Sequence, residues 1–411
     1  MTRLRNLITL TVGLLFPLLA WGEGQTSAAA DSDARLRDDY IKASLLVVEP
    51  SHEAYSLFGH CALRLECPSV QMDYCFTFET STDTRGLIDF VQGTALGGFM
   101  AAQTDHYLAV YEEAGRSVTQ YELNLTPTEK LRLWKTVDGE LAKGFTRHYD
   151  YLHTHCTSMI VALVQQVSRE PIIYNDLPVQ LQGSFRDVLF TTSHYPWSTF
   201  FWQTVMGPAA DATEPLEDKF VPVLLPEVWR RAGVIKSLTP DPSPKGEGSE
   251  VTSAGRSGSP LSPRRGVGGE VFGGEASPTL VFASLLLLVV GFTLGQLFRR
   301  WQRPACILDL FLLSVHLLVS IALLWLVTCS QLEGTQWNWY LLAFNPLPEV
   351  ACLVTHRWDI VCRCTLWVLL AVLLLTPSIP QLDFPHALLI GTFAVRLAGR
   401  GYITQTKKIN I

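Results

Sequence analysis

At 411 residues the chain is longer than one ordinary domain, and its mean hydropathy is positive although 17% of its residues are charged, so two unlike parts are being averaged. A formal net charge of −6, with no basic run carrying interleaved aromatics, argues against a nucleic-acid binder. Nine cysteines at irregular positions form no CxxC or zinc-ribbon pattern, so neither a metal site nor a cofactor is expected.

Residues 1–22 carry Arg3 and Arg5, an apolar core from Leu7 to Ala20 and the small-residue ending Ala20-Trp21-Gly22. This is the pattern of a secretory signal peptide, or of an uncleaved anchor, and either one exports the chain beyond it. Residues 40–235 form the exported soluble domain, long enough to bury a core. Leu45 to Val48 is a buried strand by pattern. Cys61 to Cys67 and Tyr74 to Phe78 alternate on either side of the Pro68-Ser69 turn, which predicts a hairpin. Cys67 and Cys75 flank that turn, as a disulfide in an oxidising compartment or as two reduced core residues. Asp105 to Glu122 is expected to hold two more strands around Glu112-Glu113-Ala114-Gly115. Thr126-Pro127-Thr128-Glu129 is a capping box before the apolar stripe Leu131, Leu133, Trp134, Val137 and Leu141.

The stretch His148 to Val167 places Cys156 where an apolar helix begins, with Met159, Ile160, Leu163, Val164 and Val167 at helical spacing and Thr154 or Thr157 as the expected cap. A thiol in a first turn lies beside unpaired N–H groups and the positive end of the helix dipole, which favour thiolate. The alternative is a small buried hydrophobe. His60 opens a strand after Gly59 and is the candidate base. Strict alternation, however, puts His60 on the sheet face opposite Cys61, Leu63 and Leu65, so it must reach a helix on that face through twist or a bulge.

Residues 236–278 turn abruptly to Pro, Gly and Ser, the composition of a disordered linker. Beyond it, apolar runs at 280–298, 307–327, 338–355, 360–376 and 384–399 predict about five transmembrane helices within 279–411. Arginines and lysines follow the odd-numbered runs, which places the soluble domain outside and the C-terminus in the cytoplasm of a multi-pass bacterial inner-membrane protein. Trp337, Trp339 and Tyr340 have the positions of an interfacial belt. Asp309, Glu349, Arg363 and Arg396 are the charges in or near the runs, each expected at an interface.

Several pieces of the soluble part resemble the Lnb-type N-terminal periplasmic domain family: Ser56 to Leu65, Thr77-Phe78-Glu79, Gly115 to Val118 leading into Leu123 to Thr126, Tyr149-Asp150-Tyr151 before Cys156, Ser184-Phe185-Arg186, Pro196-Trp197 with Phe200, and Phe220-Val221-Pro222. The five-helix tail resembles the membrane region of part of that family. A strand histidine before a helix cysteine is similar to circularly permuted NlpC-type and lecithin-retinol-acyltransferase-type thiol enzymes. That resemblance implies an α+β fold, an antiparallel sheet with packed helices of permuted papain-like kind, and cleavage or transfer at an amide or ester bond. By it Cys156 is the nucleophile, His60 the base, and Glu79 or Thr77 the residue orienting the imidazole. Where the family has Asn-Cys and a following Arg, this chain has His155-Cys156 and Met159. The function expected is a membrane-anchored periplasmic cysteine hydrolase or acyltransferase acting on a cell-envelope peptide, lipid or glycan. The alternative is a non-catalytic envelope binding or assembly module. The family label adds a glycan-processing association, but Glu79, Asp83, Asp105, Glu112 and Glu113 show no spacing that pairs two as glycosidase carboxylates.

Overall fold

The computed structural model describes residues 40–53, 56–81, 84–213, 215–236, 276–298, 301–332 and 334–409. The signal-peptide segment and nearly all of the Pro/Gly/Ser linker lie outside the described residues.

The soluble domain is α+β. Its six strands, β1 (Lys42–Val48), β2 (His60–Cys67), β3 (Met72–Thr80), β4 (Leu96–Gln103), β5 (Val118–Glu122) and β6 (Arg147–His148), form one sheet in the order β5-β1-β2-β3-β4-β6. Every pairing is antiparallel. Helices α1 (Thr84–Gln92), α2 (Thr104–Glu113), α3 (Pro127–Lys143), α4 (Cys156–Val167), α5 (Phe185–Thr192), α6 (Pro196–Val205) and α7 (Leu225–Arg231) complete it.

Alternation divides the sheet as the sequence requires. Leu45, Cys61, Leu63, Leu65, Phe76 and Phe78 face a large core shared with Leu133 and Val137 of α3 and with Ile160, Leu163 and Val164 of α4. Each such buried side chain contributes about 1.5–3 kcal/mol. Leu46, Val48, Ala62 and Cys75 face the other way, under Tyr107 of α2. The same alternation excludes the Cys67–Cys75 disulfide: Cys75 pairs in register with Arg64, on the face opposite Cys67, and both thiols are free.

The capping box forms as expected, with Thr126 N donating to Glu129 Oε2 at 2.8 Å and Glu129 N to Thr126 Oγ1 at 3.3 Å. Glu129 Oε1 also accepts from Arg169 N at 2.7 Å, tying the end of α4 to the start of α3. One expected strand is corrected. Residues Thr104–Glu113 are helical because Tyr107 and Tyr111, four apart, pack edge to face over the second face of the sheet, ring centroids 5.0 Å apart.

In the membrane region α8 (Pro278–Leu297), α9 (Gln302–Cys329), α10 (Leu347–Thr355), α11 (Trp358–Leu375) and α12 (Phe384–Ile409) come next. Among the described residues three helices, not five, are long and apolar enough to cross a membrane: Pro278–Leu297, Arg303–Cys329 and Trp358–Ser378. The run 338–355 instead makes a short turn and the nine-residue α10, about 14 Å long and too short to span. The run 384–399 lies in a 26-residue helix whose inner face buries His386, Thr392 and Arg396 inside the bundle, which lowers its apolar character. Tyr340 is also buried, its hydroxyl donating to Gln381 O at 3.0 Å, and is no part of an interfacial belt.

A hydrogen-bonded seam joins the two regions. Gln203 Nε2 donates to Pro380 O at 2.8 Å, Asn338 Nδ2 to Thr204 O at 2.7 Å and Gln331 N to Gln92 O at 2.8 Å. Buried Arg186 braces it from the soluble side, bonding Asp211 at 2.6 Å, Gln203 at 2.9 Å and Gly207 O at 2.8 Å.

Candidate functional site

The site forms where the sheet splits. β2 keeps its ladder with β1 as far as Val48↔His60, and β3 keeps its ladder with β4 as far as Thr80↔Gly97, but β2 and β3 pair only up to Leu63↔Phe76. Beyond that point the two halves part, with His60 and Cys61 on one lip and Thr77 and Glu79 on the other. Across the split the charge of Cys156, carried on the opposite face, acts on His60. Gly59 sets the lip. Its φ is +83°, and a Cβ there would lie 2.2 Å from Val48 O, so only glycine fits the turn that begins β2.

Cys156 arrives from the other side as the first residue of α4. The loop before it is wound around Asp150, whose carboxylate accepts from Leu152 N at 2.8 Å, His153 N at 2.6 Å and Thr154 N at 3.1 Å. Neither expected threonine caps the helix. His155 is the N-cap residue, and its N–H is held by Ser158 Oγ at 3.0 Å. The N–H groups of Cys156 and Thr157 find no acceptor among the described residues, as first-turn donors do unless something supplies one.

The electrostatics arise from these neighbours. The Cys156 thiol is held well below the ordinary thiol range, first by a hydrogen bond from Cys61, then, against the opposing effect of burial, by the charge of His60 and by hydrogen bonds from His155 and His60. Burial would lower the His60 imidazole, but the Cys156 charge and hydrogen bond, with Glu79 behind them, outweigh it and raise His60 above the usual histidine range, while Arg116 opposes. Cys61 is pushed the other way, well above the thiol range, by burial and by Cys156. Thr157 Oγ1 lies 3.6 Å from the Cys61 sulfur and 3.8 Å from that of Cys156, so both thiols face one hydroxyl.

Thr77 holds the His60 ring from the second lip. Its hydroxyl donates to Cys61 O at 3.4 Å, so its free lone pair faces His60 Nε2, 2.5 Å away. With Nε2 held by Thr77, Nδ1 is the ring nitrogen left for another partner. Of the two residues expected to orient the imidazole, Thr77 makes the bond. Glu79 acts as a nearby charge: burial raises its carboxyl, His60 partly offsets that, and it makes no hydrogen bond among the described residues.

Two further neighbours frame the thiol, of which Arg147 carries no signal in the sequence. Arg147 on β6 donates to Met159 Sδ at 3.4 Å and to Glu140 at 2.8 Å, so a guanidinium stands one turn from Cys156 although residue 159 is methionine. His155 is buried, and its Nε2 has no partner among the described residues. An aromatic wall encloses this side, with Tyr149 stacked on Phe78 at 5.8 Å and Tyr151 against Trp202 at 5.0 Å. Asp105, Glu112 and Glu113 lie on α2 and make no hydrogen bond or ion pair with His60, Thr77 or Cys156 among the described residues, and Asp83 lies outside the described residues.

No curated protein and no solved structure matches the chain. Two family comparisons do match. Residues 29–185 match the Lnb N-terminal periplasmic domain and residues 271–408 match the Lnb transmembrane domain. The chain therefore has the Lnb-type architecture, that of a membrane protein whose N-terminal part is an Lnb periplasmic domain and whose C-terminal part is an Lnb transmembrane domain.

Proposed function

We propose that the periplasmic domain is a cysteine-dependent hydrolase or acyltransferase of permuted papain-like type, acting on an amide or ester bond of a cell-envelope substrate such as a peptidoglycan peptide or a lipid. The observation that carries this reading is the electrostatic pairing of a helix-start Cys156 with His60, whose Nε2 lies 2.5 Å from the Thr77 hydroxyl. His60 Nδ1 takes the Cys156 proton, and the thiolate attacks the substrate carbonyl carbon. The resulting oxyanion is met by the free N–H groups of Cys156 and Thr157. As the tetrahedral centre collapses, the C–N or C–O bond breaks and His60 returns the proton to the leaving amine or alkoxide, leaving a thioester on Cys156. Water, or an acceptor alcohol or amine, then takes the acyl group by the same steps in reverse. Three crossings, like five, leave the C-terminus on the cytoplasmic side, beside Lys407 and Lys408.

A second reading, a binding module that keeps the cleft without turnover, draws on the burial of Cys156, which is 6% exposed. The two separate on an acyl donor. Full-length protein given p-nitrophenyl butyrate should release p-nitrophenol and gain a butyryl mass on Cys156, with both signals lost in Cys156→Ser. Release no faster than in Cys156→Ser, with no adduct, would leave the binding module standing.

A further inference from the structure

An open-sided cavity of about 100 Å³ lies within the membrane region, between α9, α10, α11 and α12. Two buried ion pairs reach it. Arg396 bonds Asp309, with Nη2 at 2.9 Å, and its remaining donors go to Thr293, Gln296 and Ala305 O. His316 Nδ1 lies 2.6 Å from Glu349 Oε1, while His316 Nε2 donates to Ala343 O at 3.1 Å. Glu349 Oε2 has no partner among the described residues, although the side chain is only 10% exposed. Buried carboxylate oxygens are rarely left so.

The bonds around Glu349 define what is missing. One proton is shared between His316 Nδ1 and Glu349 Oε1, and wherever it rests Oε2 is an acceptor, so the absent partner is a donor. Both pairs are internally neutral, and a cationic donor would bring an uncompensated charge into low dielectric, whereas a hydroxyl would not. The rest of the wall is mostly apolar, including Leu312, Leu369 and Leu397, with Thr365 and with Arg400, a second cation 3.5 Å from Asp309, as its polar members. The rim includes Leu313 and Trp358, exposed by 39% and 45% on helices apolar enough to cross a membrane, so it faces acyl chains.

We propose that this cavity binds a neutral membrane lipid bearing a free hydroxyl, which donates to Glu349 Oε2 while its chain lies along Leu312, Leu369 and Leu397. The site is independent of the thiol chemistry proposed for the periplasmic domain. Its test is binding of radiolabelled dioleoylglycerol to full-length protein in detergent, with unlabelled competitors. Dioleoylglycerol and geranylgeraniol offer the hydroxyl on glycerolipid and isoprenoid chains, and whichever competes better names the source. Triolein and dioleoylphosphatidylcholine carry chains without a donor and should compete at least about tenfold less well, the loss expected of one buried hydrogen bond to a charged group. Glu349→Leu should weaken binding by a similar factor, and Leu369→Trp, which fills the cavity but leaves both ion pairs intact, should abolish it. Equal competition by triolein, or wild-type binding by Leu369→Trp, overturns the proposal. Should either variant lose its fold, the competition series on wild-type protein decides alone.

Discussion

Two clusters of buried ionisable groups, one around Cys156 in the periplasmic domain and one around Arg396 in the membrane region, are finished differently. Around Arg396 the guanidinium is saturated by Asp309, Thr293, Gln296 and Ala305 O. Around Cys156 the bonding stops short: among the described residues two first-turn N–H groups lack acceptors and His155 Nε2 lacks a partner. A saturated cluster is a finished piece of structure, since the cost of burying its charges is met internally. An unsaturated one leaves room for a partner that the chain does not supply.

The largest effect should come from breaking the saturated cluster. Asp309→Ala leaves the Arg396 charge buried without its counter-ion and should destabilise the membrane region by about 3–5 kcal/mol, seen as a lower melting temperature of the full-length protein in detergent. Cys156 labelling in the periplasmic domain should survive that change at temperatures below the transition. His60→Ala should have the opposite profile, with little change in melting and a fall in Cys156 reactivity of about 10²–10⁴-fold near neutral pH.

Within the unsaturated cluster, the two candidates for orienting His60 should differ in size of effect. Thr77→Val removes the hydroxyl that holds Nε2, so the imidazole loses that bond, and acylation should slow by about tenfold. Glu79→Gln should do less, about two- to threefold, because Glu79 acts only through its charge. Its signature is in pH: with Glu79 neutral, His60 loses part of what raises it, so the alkaline limb of a pH–rate profile moves to lower pH. The reverse order of effects would assign the orienting role to Glu79.

What could be read from the sequence divides along the same line between local and tertiary contacts. The hairpin, the Thr126 to Glu129 cap and the apolar face of α4 depend on neighbours in the chain, and local pattern finds them. His60 and Cys156 can each be named because each has its own local signal, a histidine after a glycine at a strand start and a cysteine before an apolar helix. Thr77 can be named but not chosen over Glu79, since the choice depends on where the β2–β3 ladder ends. Arg147 beside Met159 and the winding of the loop on Asp150 are tertiary or backbone contacts with no periodicity to betray them. In the membrane region the five-span count fails on residues that are polar because they face inward: Arg396 and Glu349, expected at interfaces, are buried partners of Asp309 and His316.

The thiol chemistry proposed here requires that His60 and its neighbours keep Cys156 ionised, and the pH dependence of alkylation reads that ionisation itself. A group whose pKa is depressed in the folded state stays charged above that value and is lost only as pH falls through it, whereas His60, raised, keeps its positive charge until pH rises through its own. Cys156 should therefore react with iodoacetamide at pH 6 within about threefold of its rate at pH 8.5, while an ordinary thiol slows about 150-fold over the same interval. Taking the ratio on one residue cancels the slow access that burial imposes, and Cys61, pushed upward, serves as the silent control. A Cys156 rate that falls in parallel with an ordinary thiol would contradict the account and return Cys156 to the packed core.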